Sequence, residues 1–210
     1  MSPAPRRKDL VVLAADKNIE FTVRGLLDSR TAALGIRRVA FDVYPHPERD
    51  PGCRLKAHEF LRVSLSSHEH ALVLFDRAGC GKEGVGRAAL EREVEERLAA
   101  SGWSARAAAI VMDPELEAWV WTDSPHVERI VGWAGARGGL RGWLEGERLW
   151  RNGAPKPHDP KSAVERTLYR ARKPRSSALY QLLAQHVGFS TCADPAFQKM
   201  RSTLQTWFSP

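Results

Sequence analysis

The sequence predicts an α/β fold, in which a mostly parallel four-stranded sheet is flanked by helices and followed by a helical C-terminal region. Three observations lead to this prediction. Four short apolar runs are continuous rather than alternating, which is typical of strands buried on both faces. A helical pattern follows each run, and this alternation indicates a parallel sheet covered on both sides. After about residue 123 the alternation stops, and only helices and loops are predicted.

The four strands are predicted at 10–15, 36–43, 70–75 and 107–112. Asn18 belongs to a residue type that caps helices, so the first helix is predicted from there to Gly35, which ends it. Two prolines terminate the second strand because proline lacks a backbone N–H. A short helix is expected at 54–65, before the third strand.

Two further helices are predicted within the alternating part of the chain. Apolar residues spaced by four give the helix at 86–101 one buried face, and a helix at 115–121 follows the fourth strand. Residues 124–154 combine three tryptophans with many Gly and Arg, which predicts short helices and loops. The remaining helices are predicted at about 160–172, 176–187 and 194–208. We therefore divide the chain into a core at 1–123 and a helical, basic region at 124–210 packed on that core.

Composition excludes several classes of protein. The 210 residues are 43% hydrophobic and 27% charged, as expected for a folded chain with a core. No apolar run approaches the roughly 20 residues of a membrane-spanning helix, so no membrane partner is expected. The three cysteines are scattered and odd in number, which argues against a disulfide framework and favours a reducing, cytoplasmic location.

The net charge of +7 is confined to one part of the chain. Residues 1–140 contain 20 Lys and Arg and 20 Asp and Glu, whereas residues 141–210 contain 12 basic and 5 acidic residues. A local basic excess binds polyanions, although a solvated helix face is the alternative interpretation. We expect nucleic acid to be held through its phosphate backbone by the densest stretch, which contains Arg166, Arg170, Arg172, Lys173 and Arg175.

Acidic residues follow three of the four predicted strands. Asp16 comes after the first strand, Asp76 after the third and Asp113 after the fourth. Glu20 lies one helical turn beyond the first of these, and Glu115 and Glu117 closely follow the last. The segment from His46 to Asp50, which follows the second strand, lies at the same edge. Because ligands bind where the carboxyl ends of parallel strands meet, we expect these acids to converge. Crowded carboxylates call for a hard cation such as Mg²⁺ or Mn²⁺, which suits metal-assisted hydrolysis of phosphodiesters.

Taken singly, each of these acids has a simpler interpretation. An Asp at a strand end often caps the next helix, and Glu117 is interpreted as a surface residue. The segment from 76 to 83 contains Gly-Lys but lacks the first glycine and the final Ser or Thr of a phosphate-binding loop, so nucleotide binding through it is rejected. The histidines and cysteines lack the paired spacing that favours a zinc site.

Four segments occur in the order LVVLAADKNIEFTVRGLL, HALVLFDRAGCG, VMDPELEAWVW and DPAFQKMRSTLQTWF. Together they resemble the small Toprim-like proteins of bacterial antiphage loci, over nearly the whole chain. The resemblance implies a Toprim-type core, a metal-dependent nuclease role in antiphage defence, and other defence-system proteins as partners. Toprim sites use a Glu after the first strand and an Asp-x-Asp after a later one. Here the nearest glutamate is Glu20 and the second aspartate is missing, so the replacement ligand would be Asp113, Glu115 or Glu117.

Two functions are carried forward as hypotheses. In the first, the protein cuts nucleic acid with one or two Mg²⁺ or Mn²⁺ ions, and Asp76 is the main metal ligand. The supporting ligands are then Asp16, Glu20, Asp113 and Glu115. The catalytic residues are Asp76, Glu20 and Lys82, and either this lysine or Lys17 stabilises the phosphate charge in the transition state. In the second, the protein is a catalytically inactive structural or sensing subunit of a defence complex that binds nucleic acid or partner proteins.

Overall fold

In the computed structural model, four parallel strands form one sheet in the spatial order β2-β1-β3-β4. The strands are β1 (Lys8–Ala14), β2 (Phe41–Pro45), β3 (His68–Asp76) and β4 (Ala107–Met112). The structure describes residues 7–122, 124–133, 138–189 and 192–210. The predicted fold class is confirmed, because helices flank an all-parallel four-stranded sheet and a helical region follows it.

Nine α-helices lie in the described parts of the chain, and none of them combines the length and apolar character needed to cross a bilayer. Four belong to the alternating part: α1 (Lys17–Ser29), α2 (Thr31–Leu34), α3 (Arg49–Phe60) and α4 (Arg87–Leu98). Five follow the sheet: α5 (Pro125–Val131), α6 (Gly139–Gly146), α7 (Pro160–Arg170), α8 (Ser177–His186) and α9 (Pro195–Trp207).

The second strand lies further along the chain than the predicted range of 36–43, which was wrong. Residues 36–40 have other partners, since the carboxylate of Asp9 accepts hydrogen bonds from the backbone N–H of Ala40 (2.7 Å) and from the Arg37 guanidinium (2.7 Å). The strand then extends into the proline that was expected to break it. An edge strand tolerates proline because one side of its backbone needs no ladder hydrogen bonds.

Three helix predictions also need correction. The first helix is capped by Asp16, whose Oδ1 accepts the N–H of Ile19 at 2.9 Å, and not by Asn18. The helix expected at 54–65 begins earlier, at the start of α3, because Pro51 is tolerated in a first turn whose N–H groups have no partners within the helix. The helix expected at 115–121 is a single 3₁₀ turn, Leu116–Trp119.

The C-terminal region is fixed to the sheet layer chiefly through α1 and α8. Their close approach depends on Gly25 of α1, because a Cβ atom there would lie 2.7 Å from the carbonyl oxygen of Gln181 and 2.9 Å from the Cβ of Ala184. The side chain of Arg30 adds hydrogen bonds to two carbonyl groups at the end of α8. This packing carries α8, with its buried Tyr180, to the carboxyl edge of the sheet. The division of the chain near residue 123 stays a prediction.

The edge of β4 that has no neighbouring strand is covered by side chains of α4 and α9. Glu91 is 3% exposed and accepts the outward N–H of Val111 at 3.1 Å, while Glu95 accepts that of Ala109 at 3.0 Å. Lys199 of α9 bridges both carboxylates, at 3.1 and 2.7 Å. Unpaired strand edges invite pairing with other chains, and these contacts satisfy the edge instead.

We expect Glu91→Ala to lower the free energy of unfolding by about 2–4 kcal/mol, because it leaves a buried N–H unpaired and removes the partner of two cations. Urea unfolding followed by circular dichroism measures the change. Glu96→Ala, on the exposed face of the same helix, is the matched control and should shift stability by less than about 0.5 kcal/mol. Equal effects of the two substitutions would contradict this account of the edge.

Candidate metal site at the carboxyl edge of the sheet

The site is built around Asp76, the last residue of the central strand β3. After β4, the chain turns back across the sheet edge, where the backbone N–H of Ala78 bonds the carbonyl of Pro114 at 2.9 Å. The side chain of Asp76 then accepts the N–H of Leu116 at 2.8 Å. This hydrogen bond fixes the 3₁₀ turn over the end of β3 and brings the glutamates at 115 and 117 to the aspartate.

Asp76, Glu115 and Glu117 each offer one carboxylate oxygen within 4.8 Å of the others. The two glutamates are buried, with 7% and 2% of their surfaces exposed, whereas the aspartate remains partly open to solvent. We call these three residues the acidic triad. The triad lies at the carboxyl edge, where open parallel sheets bind ligands.

The buried glutamates are held by residues of the C-terminal region. Oε1 of Glu117 accepts hydrogen bonds from the hydroxyl of Tyr180 at 2.5 Å and from the guanidinium of Arg175. Glu115 forms a looser ion pair with Lys161, at 3.5 Å. These partners orient the carboxylates and offset part of their charge, which is what keeps a buried charge tolerable.

Two further aspartates increase the negative charge around the triad. Asp50, at the start of α3, accepts the backbone N–H of Asp76 at 2.8 Å. Burial raises the pKa of Asp76 well above its ordinary value, and the charges of Asp50, Glu117 and Asp16 raise it further. Burial also raises the pKa of Asp50. The edge therefore carries more carboxylates than its nearby cations compensate.

The pKa of Glu115 is raised as well, first by burial and then by the charge of Glu117. At Asp76, the hydrogen bond from the backbone N–H of Leu116 acts in the opposite direction and lowers the pKa, since it favours the charged form of the carboxylate. The excess of negative charge at the edge remains despite this hydrogen bond. A bound cation would relieve it directly.

The triad fits a hard divalent cation. Oxygens on opposite sides of such an ion lie roughly 4–5 Å apart, given metal–oxygen bonds of about 2.0–2.6 Å, and the triad oxygens fall within that span. Its donors are all carboxylates, without the thiolate or imidazole that softer metals favour. The acidic triad could therefore hold a metal ion.

Of the five residues predicted as metal ligands, Asp76 and Glu115 come together, and they are joined by Glu117, which was predicted only as a replacement ligand. Glu20 is paired with Arg24 one turn along α1, at 2.9 Å. Asp113 is paired with Arg77 at 2.8 Å and has a side chain that is 43% exposed. Asp16 caps α1, although its charge reaches the triad. Metal binding by these three residues stays a prediction.

Lys82, predicted to stabilise phosphate charge, is paired with Glu93 at 3.2 Å, and its side chain is half exposed. Two other cations, Arg175 and Lys161, stand against the triad instead. Arg175 belongs to the stretch predicted to bind nucleic acid, whereas the sequence predicts no role for Lys161. Both come from the basic region, so part of its charge faces the acidic edge.

The other predicted nucleic-acid-binding residues have different surroundings. Arg166 is paired with Glu147 at 3.2 Å, and Lys173 donates a hydrogen bond to the carbonyl of Ile130 near the end of α5. Arg170 and Arg172 are exposed, and their side chains have no hydrogen bond or ion pair within the described residues. Only these last two are free surface charges, and nucleic-acid binding by the whole group stays a prediction.

The interpretation of Glu117 as a surface residue was wrong, because it is among the most buried acids of the described chain. Its neighbours Leu116, Ala118 and Val120 are also buried, so burial in this segment does not follow the periodicity of a helix. The sequence pattern therefore did not indicate that Glu117 is buried. Tyr180 was missed as a site residue. Asp50 was expected at this edge, because His46 to Asp50 follow the second strand, but it was not predicted as a metal ligand.

Comparisons with models of protein families, with curated proteins and with solved structures find no match for this chain.

Without metal, we expect Asp76→Asn to be more stable than the wild type at pH 8 and to depend less on pH. Because the folded-state pKa of Asp76 is raised, the native protein loses stability as pH rises from the ordinary Asp value through the raised one. Asparagine keeps an oxygen for the Leu116 N–H but carries no charge. The stability gained by the variant over the wild type should therefore grow as pH rises.

Urea unfolding at several pH values, with EDTA present, measures this difference. Asp113→Asn is the matched control, because it removes a more exposed carboxylate at the same edge. The control should show no gain in stability at pH 8, because it removes the ion pair with Arg77 and leaves the triad intact. A lower stability of Asp76→Asn than of the wild type at pH 8 would contradict the charge balance described for the edge.

Proposed function

We propose that the protein is a metal-dependent nuclease that hydrolyses nucleic-acid phosphodiesters at the carboxyl edge of its sheet. The convergence of Asp76, Glu115 and Glu117 on one small volume carries this proposal. A site with three converging carboxylates at the carboxyl edge of a parallel sheet suits a cation that must also contact a substrate.

We propose Mg²⁺ or Mn²⁺ as the ion, because both prefer oxygen ligands and leave coordination positions open for substrate. Such an ion supplies Lewis-acid polarisation of a phosphoryl oxygen and lowers the pKa of a bound water. Asp76, Glu115 and Glu117 would hold it. Asp76 is the most open of the three, so substrate is expected to approach on its side.

Arg175 and Lys161 would stabilise the phosphate charge, the role that was predicted for Lys82. Both contact triad glutamates, and both keep exposed surface, with side-chain exposures of 33% and 48%. A guanidinium and an ammonium in this position would offer donors to the non-bridging oxygens of a phosphodiester. Tyr180 is 2% exposed and would act through Glu117, as a positioning residue that donates to its carboxylate.

The basic excess of residues 141–210 supports nucleic acid as the polyanion. The resemblance to Toprim-like proteins of antiphage loci adds a biological setting, which we propose as defence against phages in bacteria. In that setting the chain would act with other defence-system proteins. A cytoplasmic location fits such a role and the unpaired, buried cysteines.

The second candidate function is that of a catalytically inactive structural or sensing subunit of a defence complex. The ion pairs favour it, because Glu20, Asp113 and Lys82 are each bound to a partner within the chain. In this alternative the triad would be a buried network, with Arg175 and Lys161 as its permanent counter-ions.

To distinguish the two, we would incubate the purified protein with labelled single-stranded DNA, duplex DNA and RNA, with EDTA, Mg²⁺ or Mn²⁺. The nuclease proposal expects cleavage only with metal, and a loss of about a hundredfold or more in Asp76→Asn, because it removes one ligand charge. Glu96→Gln, on the exposed face of α4, is the control and should retain full activity.

Cleavage that survives in Asp76→Asn would place the active site elsewhere. Binding of nucleic acid without cleavage, under every metal condition, would favour the inactive subunit. Asp113→Asn and Glu20→Gln complete the series, since a comparable loss in either would add that residue to the metal site.

A further inference from the structure

An aromatic side chain stands almost fully open to solvent near the end of α7. Tyr169 is 83% exposed, and its side chain has no hydrogen bond or ring contact within the described residues. It is the most exposed of the large aromatic residues described. A ring in this state contributes little to folding, so its surface is available to a partner.

The surroundings of the ring are basic. Arg170 is the next residue in α7, and Arg172 follows the helix in a left-handed conformation with φ of 53°. Both side chains are exposed and unpaired, as noted above. Arg166, one turn before Arg170, is paired with Glu147 but has a side chain that is 59% exposed. A helix end that carries an open ring and free guanidinium groups is complementary to a partner with both aromatic faces and negative charge.

Helix α7 carries both the ring of Tyr169 and residues that contact the acidic triad or its partners. Lys161, in its first turn, pairs with Glu115, and Glu165, four residues later, pairs with Arg175 at 3.1 Å. Tyr169 is four residues further on, so the three side chains share one face of α7. With a rise of 1.5 Å per residue, the ring lies about 12 Å along the helix from the lysine. A strand of a few nucleotides spans that distance.

We infer that the C-terminal end of α7 is a stacking platform for single-stranded nucleic acid, on which an unpaired base lies against Tyr169. As a route to the triad, it rests on the proposed nuclease function. Arg170 and Arg172 would bind the flanking phosphates. Stacking requires the face of a base, which an intact duplex keeps inside its stack, so the platform selects single strands.

Fluorescence anisotropy with labelled oligo(dT), oligo(U) and a hairpin duplex closed by a non-nucleotide linker tests the inference, with EDTA present so that no cleavage occurs. Tyr169→Ala should weaken single-strand binding by about tenfold, because stacking on an aromatic side chain is worth about 1–3 kcal/mol per base. Tyr169→Phe should retain the affinity of the wild type. Val63→Ala is the control, since Val63 is 84% exposed and precedes β3, at the opposite end of the strand from the triad.

Unchanged single-strand affinity in Tyr169→Ala would overturn the inference, as would an equal loss on the hairpin. Failure of the wild type to bind any oligonucleotide would overturn it too, and a changed sedimentation coefficient in Tyr169→Ala would then mark a protein interface. Hydrolysis of bis(p-nitrophenyl) phosphate with Mn²⁺ tests the proposed catalysis separately. Its absence would overturn the nuclease proposal and leave the metal-free binding result standing.

Discussion

The structure depends on how the negative charge of several neighbouring carboxylates is compensated at the end of β3. Asp76 ends the central strand, Asp50 bonds its backbone N–H, and the 3₁₀ turn adds Glu115 and Glu117. Burial and mutual repulsion raise the pKa values of Asp76 and Glu115, so these groups resist ionisation in the metal-free protein. A fold that gathers such groups needs either cations from its own chain or a bound ion.

The C-terminal region supplies the first kind of compensation. Arg175 and Tyr180 hold Glu117, and Lys161 pairs with Glu115, so the triad is completed by residues that follow the sheet in sequence. Gly25 makes this possible, since it lets α8 pack closely on α1. The charge difference between the two parts of the chain therefore has two uses: some basic residues face the acids, and others, such as Arg170, remain on the surface.

Much of the sheet could be predicted from the sequence, because continuous apolar runs and helical periodicity report burial directly. The convergence of Asp76 and Glu115 also followed, since parallel strands place their ends at one edge. Glu117 was predicted only as one of three replacement ligands, and Tyr180 was not predicted at all, because their contact depends on the docking of α8, which no local pattern encodes. Glu20 has the expected position on α1, but its side chain is paired with Arg24. Sequence spacing alone does not show which partner a side chain binds.

The most direct test of the account is a crystal structure of the protein soaked in Mn²⁺, with anomalous diffraction measured near the manganese edge. We predict an anomalous peak among the carboxylates of Asp76, Glu115 and Glu117, with Arg175 displaced from the shared oxygen of Glu117 or turned toward solvent. The account would be contradicted if no peak appeared there at saturating Mn²⁺ and both ion pairs of the triad remained in place.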